Sequence, residues 1–392
     1  MSTQKQIFID PSQSKSNTAQ QIKQSCGSPI EVSEAPLNKD FRSGKKTLAI
    51  TPKKGQAFDT CATYSNEYVC CNVKVLKSIK NCPFDCSYCF LQDYLNNSTM
   101  QVVGDTDALI KEIQSACEQQ PWRLFRIGTW ELGDSLALEA ETGQAKALIK
   151  AVAKMPQVFL ELKTKSDQVD SILDLDHQER SVISWSMNPP RIIREQEHRT
   201  SDYESRLLAM KKAVDAGYLI GLHFDPMIYY DEWEQDYPEL IANIFETIPS
   251  NRVAWISLGS LRFKPDMKQQ IMANFPKQQI THAEMVTGND GKMRYVKPLR
   301  LDMYEKVISA IKAACNTDTI SPIQVPSPNT PLFYFCMERW DVWEHLLGES
   351  PRSVGHLDHL FAQHLQHRFP HLVNNVASIE QYETSQDTPI RT

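Results

Sequence analysis

The 392-residue chain has no apolar run approaching the roughly 18 residues that span a bilayer, so no membrane-spanning helix is expected. Its opening stretch, MSTQKQIFIDPSQSKSNTAQQ, lacks the apolar centre of a secretory signal, and a cytoplasmic protein is expected. Charge of one sign is lacking too. Lys and Arg number 42 against 48 Asp and Glu, for a formal net charge of -6. Whole-molecule electrostatics therefore do not announce a nucleic-acid binder, although a basic channel can sit on an acidic body. There is no internal repeat. In a reducing compartment, the ten cysteines point to metal or catalysis and not to disulfides.

What is present is enough apolar sequence, 41%, for one large core or two ordinary domains. Residues 1 to about 40 are rich in Ser, Gln, Lys and Asn and read as a mostly disordered tail. The stretch from about Thr384 reads as frayed. Between them strand and helix alternate. β-branched or aromatic runs fall at 72–76, 124–128, 158–163, 181–187, 218–224 and 253–258. Helical periodicity follows at 107–118, 144–155 and 204–216. In the last, Leu207, Leu208, Met210, Ala213 and Val214 are expected on one buried face, with Gly217 closing the helix. Six such units predict an α/β fold, a full or partial (β/α)6 TIM-like barrel over 41–345. A helical extension occupies 346–392. An open doubly wound sheet is the alternative.

The stretch NCPFDCSYCFLQ, residues 81–92, places Cys82, Cys86 and Cys89 in a C-x-x-x-C-x-x-C spacing, with no fourth cysteine at a matching distance. The loop follows the first predicted strand, on the rim where such barrels place their chemistry. Three thiolates wrapped around one face of a metal cube leave one iron without a protein ligand. An open iron binds a small chelating molecule and passes it an electron, which a saturated structural site does not. The competing reading is zinc, completed by Cys61, Cys70 or Cys71; Cys70 and Cys71 also suit small packed residues beside the first strand.

With Tyr88 just before the third cysteine, the motif resembles the signature of radical S-adenosylmethionine enzymes. The stretch CSYCFLQ, with NPPRIIREQEHRTSDYESRLLAMKKAVDAGYLIGLHFDPMIYYDEWEQDY, resembles the spore photoproduct lyases and their relatives over roughly residues 60–345. The resemblance implies a [4Fe–4S] cluster on Cys82, Cys86 and Cys89, with S-adenosylmethionine on the unique iron. Reductive cleavage of that cofactor would yield a 5′-deoxyadenosyl radical that abstracts hydrogen. The resemblance also implies an electron donor such as flavodoxin or ferredoxin and a DNA lesion or other nucleic acid as substrate. Tyr88 would lie against the adenine. Gly128 and Glu131 would receive the cofactor's amino group, with Asp134 a weaker alternative. Lys165 would reach its carboxylate, with Lys163 easily confused for it. Ser186 and Asn188, on one face of the fourth strand, would make polar contacts.

Two departures bear on function. Spore photoproduct lyases carry a cysteine hydrogen donor after the second strand, and GTWEL has none. They carry tyrosine directly after the third cluster cysteine, where this chain has Phe90. Cys336 is the candidate replacement thiol, a buried free cysteine being the plainer reading. A different substrate (nucleotide, RNA or peptide) and a cluster-binding redox protein without turnover remain as alternatives. Arg191, Arg194, His198 and Arg199, interspersed with Glu195 and Glu197, read as a solvated face in preference to a phosphate-binding one. The segment GNDGKMRYVKPLR, 288–300, reads as a candidate nucleic-acid contact. His356, His359, His364, His367 and His371 read as a helix packed on the barrel.

Overall fold

A computed structural model describes residues 5–61, 67–71, 73–323 and 329–384. Its principal sheet has eight strands: β1 (Phe58–Thr60), β2 (Lys74–Leu76), β3 (Phe125–Gly128), β4 (Val158–Thr164), β5 (Ser181–Ser186), β6 (Leu219–Met227), β7 (Val253–Ser260) and β8 (Leu332–Phe335). Their order in the sheet is their order in the chain. Pairing is parallel from β2 to β8, and only β1 runs antiparallel, against β2. A doubly wound sheet needs a reversal of strand order; none occurs here, so crossovers of one hand wind the helices onto one face and the sheet curls around its other face. The result is an open, curled half-barrel. Antiparallel pairing of Glu338↔Val69 and Arg339↔Tyr68 joins the segments flanking its two edges.

Each run predicted as a strand overlaps a sheet strand and overruns it by one described residue at most, with Asn72 outside the described residues. The expected helices appear as α1 (Thr106–Gln119), α2 (Gln144–Val152) and α3 (Tyr203–Asp215). Asp105 caps α1 by accepting from Ala108 N at 2.9 Å, and Asp202 caps α3 from Ser205 N at 2.8 Å. Gly217, at φ +89°, ends the helical path after α3. One position on that helix departs from expectation. Leu208 is 58% exposed, and Arg206 takes a buried place instead, at 0%.

The N-terminal segment is also a correction. Residues 5–40, expected to be mostly disordered, carry a strand at Gln6–Ile9, a helix at Asn17–Ser25 and a strand at Ile30–Glu31. The strand at 6–9 is an interior strand of a second sheet of order 30–31, 6–9, 47–51, 100–103 and 79–80. Ile7, Ile9, Ala19 and Ile22 pack with Leu48, Ile50, Met100 and Val102 into a separate core. Burying an Ile side chain contributes about 1.5–3 kcal/mol, enough for a few apolar residues in QIFI to outweigh polar surroundings. This sheet brackets the cysteine loop, because its strands at 79–80 and 100–103 are the loop's two ends.

At the opposite end of the barrel, Val354–Arg368 forms α4, capped by Ser353 accepting from His356 N at 2.9 Å. It packs on the barrel as expected. Arg368 donates to the carbonyls of Val253 and Ala254 at 2.7 and 3.0 Å, at the start of β7. The histidines of this stretch go to separate partners: His364 Nε2 to Pro322 O at 2.9 Å, His359 edge-on to Tyr382, and His371 to Glu179.

Candidate active site

The lumen of the half-barrel is polar, and one carboxylate organises its lower layer. Glu161 on β4 is fully buried. It accepts from Arg126 at 2.8 and 3.1 Å, Ser184 Oγ at 2.7 Å, Trp255 Nε1 at 2.8 Å and Trp130 Nε1 at 3.3 Å, and pairs with His223 Nε2 at 2.7 Å. Burial alone would raise its pKa, but Arg126, His223 and the donors outweigh it and hold the carboxyl far below its usual range. Burial pushes His223 down to about 4, with Lys163 adding to the effect and Glu161 opposing it. Arg126 also lies 4.2 Å over the Trp255 ring and donates to Tyr334 OH at 2.6 Å.

Above this layer, at the C-terminal ends of the strands, sits the predicted machinery. Residues 82–89 form a loop stapled on one side by an antiparallel pairing of Asp85–Cys86 with Glu197–His198. Ser87 N and Oγ donate to Gln196 at 2.8 and 2.6 Å. Cys86 is buried, and Cys82 and Cys89 are half-buried. Burial pushes the Cys82 thiol up to about 12, with Lys45 pulling the other way. Cys86 stands well above its usual value for the same reason, opposed by Lys165. A metal that binds their thiolates must therefore displace protons.

The donor set fits an iron–sulfur cluster better than zinc. Among the described residues no three Cys, His or acidic side chains stand close enough to hold one metal ion. Cys82, Cys86 and Cys89 share one loop and feel one another's charge, three soft thiolate donors of the kind that would hold a [4Fe–4S] cluster. Cys70 and Cys71 belong elsewhere: both thiols are free, and that of Cys71 shares a hydrogen bond with Cys70 and feels Arg126.

The pairing at Glu197 brings Tyr88, Lys165 and Asn188 together. Tyr88 OH donates to Glu197 Oε1, which also accepts from Asn188 Nδ2 at 3.0 Å, while Arg206 reaches Oε2 at 2.6 Å. Lys165 Nζ lies 5.7 Å over the Tyr88 ring. Burial raises the Glu197 pKa, but Arg206 and Lys165 overcome it, so the carboxylate is ionised. Asn188 is engaged at both ends, its Oδ1 accepting from Tyr237 OH at 2.8 Å. Glu197 and Arg206 were missed in the sequence. Glu197 hid in a run of charges, and only its pairing directly opposite Cys86 makes it central.

On the β3 side, Gly128 is where a side chain has no room: a Cβ there would stand 2.4 Å from Trp130 Nε1. Glu131 is half-buried in the following turn and close enough to influence Lys77. Asp134, the alternative for the cofactor's amino group, spends its oxygens within the chain. It accepts from Leu136 N, Ala137 N, Thr164 Oγ1 and Lys165 N at 2.7–3.0 Å, which fixes the turn beneath Lys165.

Across the lumen, Ser186 Oγ donates to Asp225 O at 3.3 Å, and Asp225 pairs with Arg262 at 3.0 Å. Arg262 Nη2 lies 3.8 Å from Cys336 Sγ. Lys163 Nζ is 4.8 Å from the Trp130 ring. Burial lowers its pKa, and both Asp225 and Cys336 act to raise it, so it faces this second cluster while Lys165 faces the first. Phe90 is 47% exposed and packs edge-on against Tyr94 at 5.9 Å. In the basic run at 191–199, Arg191 pairs with Glu195 and Glu232, and Arg194 is 71% exposed, as expected of a solvated face. Segment 288–300 likewise spends its arginines internally, Arg294 on Asp290 at 2.7 Å and Arg300 on Glu338 at 3.0 Å.

A singly wound half-barrel with a three-cysteine loop at the C-terminal ends of its strands defines a radical S-adenosylmethionine enzyme. The family model for spore photoproduct lyase matches residues 13–320, and the chain belongs to that family. It is 23% identical to the spore photoproduct lyase of Clostridium acetobutylicum over 61% of this chain and 69% of that protein. It is 24% identical to that of Bacillus subtilis over the same shares. A solved spore photoproduct lyase complexed with dinucleoside spore photoproduct superposes with a TM-score of 0.70 at 20% identity, covering 85% of this chain and 98% of that one. A variant of spore photoproduct lyase with bound AdoMet and dinucleoside spore photoproduct gives 0.70 at 21%, covering 79% and 96%.

Proposed function

We propose that this chain is a radical S-adenosylmethionine lyase that opens a spore-photoproduct-type thymine lesion, with Cys336 as its hydrogen donor. In this reading Cys82, Cys86 and Cys89 hold a [4Fe–4S] cluster. Lys165 receives the carboxylate of S-adenosylmethionine, the Gly128–Glu131 turn its amino group, and Ser186 and Asn188 its remaining polar groups. When bound, cluster and cofactor supply a 5′-deoxyadenosyl radical able to abstract hydrogen. The chain's own part is to place the substrate, exclude water and return a hydrogen atom. Tyr88, anchored through Glu197 and Arg206, gives the adenine a rigid wall. The electron comes from an external donor such as flavodoxin or ferredoxin.

One observation carries the choice of donor. Cys336 lies directly after β8 at the rim, tied through Arg262 to Asp225 and hence to Ser186. That places a thiol across the lumen from a turn, GTWEL, that has none. Burial raises its pKa, so the thiol keeps its proton and has a hydrogen atom to give. Hydrogen transfer requires near-contact between S–H and the product radical, and a rim position permits it.

Reconstituted wild type and Cys336→Ala, given dinucleoside spore photoproduct, test the reading. Wild type should yield clean thymines. Cys336→Ala should still cleave S-adenosylmethionine but give radical side products. Clean repair by both would dismiss Cys336 as donor. Absence of lesion turnover by wild type would mean another substrate, the reading favoured by Phe90; deuterium transfer from candidate substrates into 5′-deoxyadenosine would then identify it.

A further inference from the structure

Between Cys82 and Cys86 the loop is held by a residue from the N-terminal unit. Lys45 follows the short helix Phe41–Gly44, and its side chain is completely buried. Its Nζ donates to the carbonyl of Phe84, stands 3.5 Å from Asp85 Oδ1 and lies 3.8 Å over the Phe41 ring. Asp85 is shared, because Arg42 Nε reaches its other oxygen at 3.1 Å. Two cations thus meet one carboxylate, and the group keeps an excess positive charge on the stretch of loop between Cys82 and Cys86. A buried ammonium is expensive to keep, and an apolar side chain of the same length would fill the space at lower cost.

We infer that Lys45 is a positioning residue of the cluster that also sets its reduction potential. Reduction adds one negative charge to the cluster. A fixed cation nearby, screened little at this depth, stabilises the reduced form more than the oxidised one and raises the potential. Asp85 works in the opposite direction, and Arg42 limits it. The N-terminal βα unit, with its own core, is therefore part of the electron-accepting site. This rests on the reading that the three cysteines hold a cluster.

The test is an EPR-monitored redox titration of the anaerobically reconstituted full chain, with iron content measured alongside. Lys45→Met should hold iron yet titrate at a more negative potential than wild type. Lys45→Arg, which keeps the charge, should restore the potential. Asp85→Asn should move it the other way. A Lys45→Met protein with a full cluster and an unmoved potential would overturn the inference. If that variant retains no iron, Asp85→Asn decides, and an unmoved potential there overturns it equally. Wild-type protein that takes up no iron would instead defeat the cluster reading itself, and this inference with it.

Discussion

Glu161 is the residue on which the lumen depends. Removing its charge leaves Arg126 buried against aromatic rings with no counter-ion, and breaking one side of a buried pair costs about 3–5 kcal/mol. Glu161→Gln should therefore lower unfolding stability by about that much in urea titrations; a loss below about 1 kcal/mol would show that Tyr334 and the rings suffice for Arg126. His223 adds a pH dependence. Its folded pKa, about 4, lies below the unfolded value near 6.5, so between these the unfolded state binds the extra proton. Stability is therefore full above about pH 6.5 and falls as pH drops toward 4. His364, also pushed down to about 4 by burial, shares the window and the sign. Replacing His223 with Gln should reduce the slope of stability against pH there, and replacing both should flatten it; an unchanged slope in the double variant would assign it elsewhere. None of this was legible beforehand. Glu161 is one acid in the strand VFLELKT, and nothing local separates it from a solvent-facing alternate. The cysteine spacing was legible because its chemistry is local, with all three ligands within eight positions.

At the scale of elements, the strand pattern was readable wherever burial on both faces made runs apolar, which is why β3 to β7 matched. The N-terminal strand was not, because QIFI is four residues long and owes its place to strand partners 23 and 41 positions away. Those partners make the unit sensitive to close packing. A Cβ on Gly44 would stand 2.3 Å from the carbonyl oxygen of Ser98, backbone that cannot yield cheaply, just where the cysteine loop returns to the second sheet. Gly44→Ala should cost about 1–3 kcal/mol and lower the iron retained on reconstitution. Full iron content together with unchanged stability would mean the two segments slide freely. At the other end, Arg368→Met removes donors from the buried carbonyls of Val253 and Ala254, each worth about 1–3 kcal/mol when left unsatisfied. Thermal unfolding should show that loss, with S-adenosylmethionine cleavage intact in the folded fraction, because α4 closes the end of the barrel remote from the cysteines.

For the molecule as a whole, a net charge of -6 sets what a polyanionic substrate meets at long range. The body repels it. The lumen does not: Arg126, Lys163, Lys165, Arg206 and Arg262 stand against Glu161, Glu197 and Asp225. Of the basic stretches singled out in the sequence, several arginines are paired internally, as in Arg294–Asp290 and Arg191–Glu232, which leaves the mouth as a candidate place for phosphate contact. Contact confined there has a measurable signature. Each phosphate neutralised contributes about -0.9 to the slope of log affinity against log salt on duplex DNA. A protein that grips a lesion through its mouth alone should touch roughly one to three phosphates, giving a slope of about -1 to -3. Anisotropy titrations of a lesion-bearing duplex between about 50 and 200 mM salt would measure it, the range over which such slopes are resolved. A slope near -6 or steeper would demand a broad basic footprint and would overturn this reading. A shallow slope, with Lys163→Gln reducing it by about 1, would place the phosphate contact inside the barrel mouth, beside Cys336.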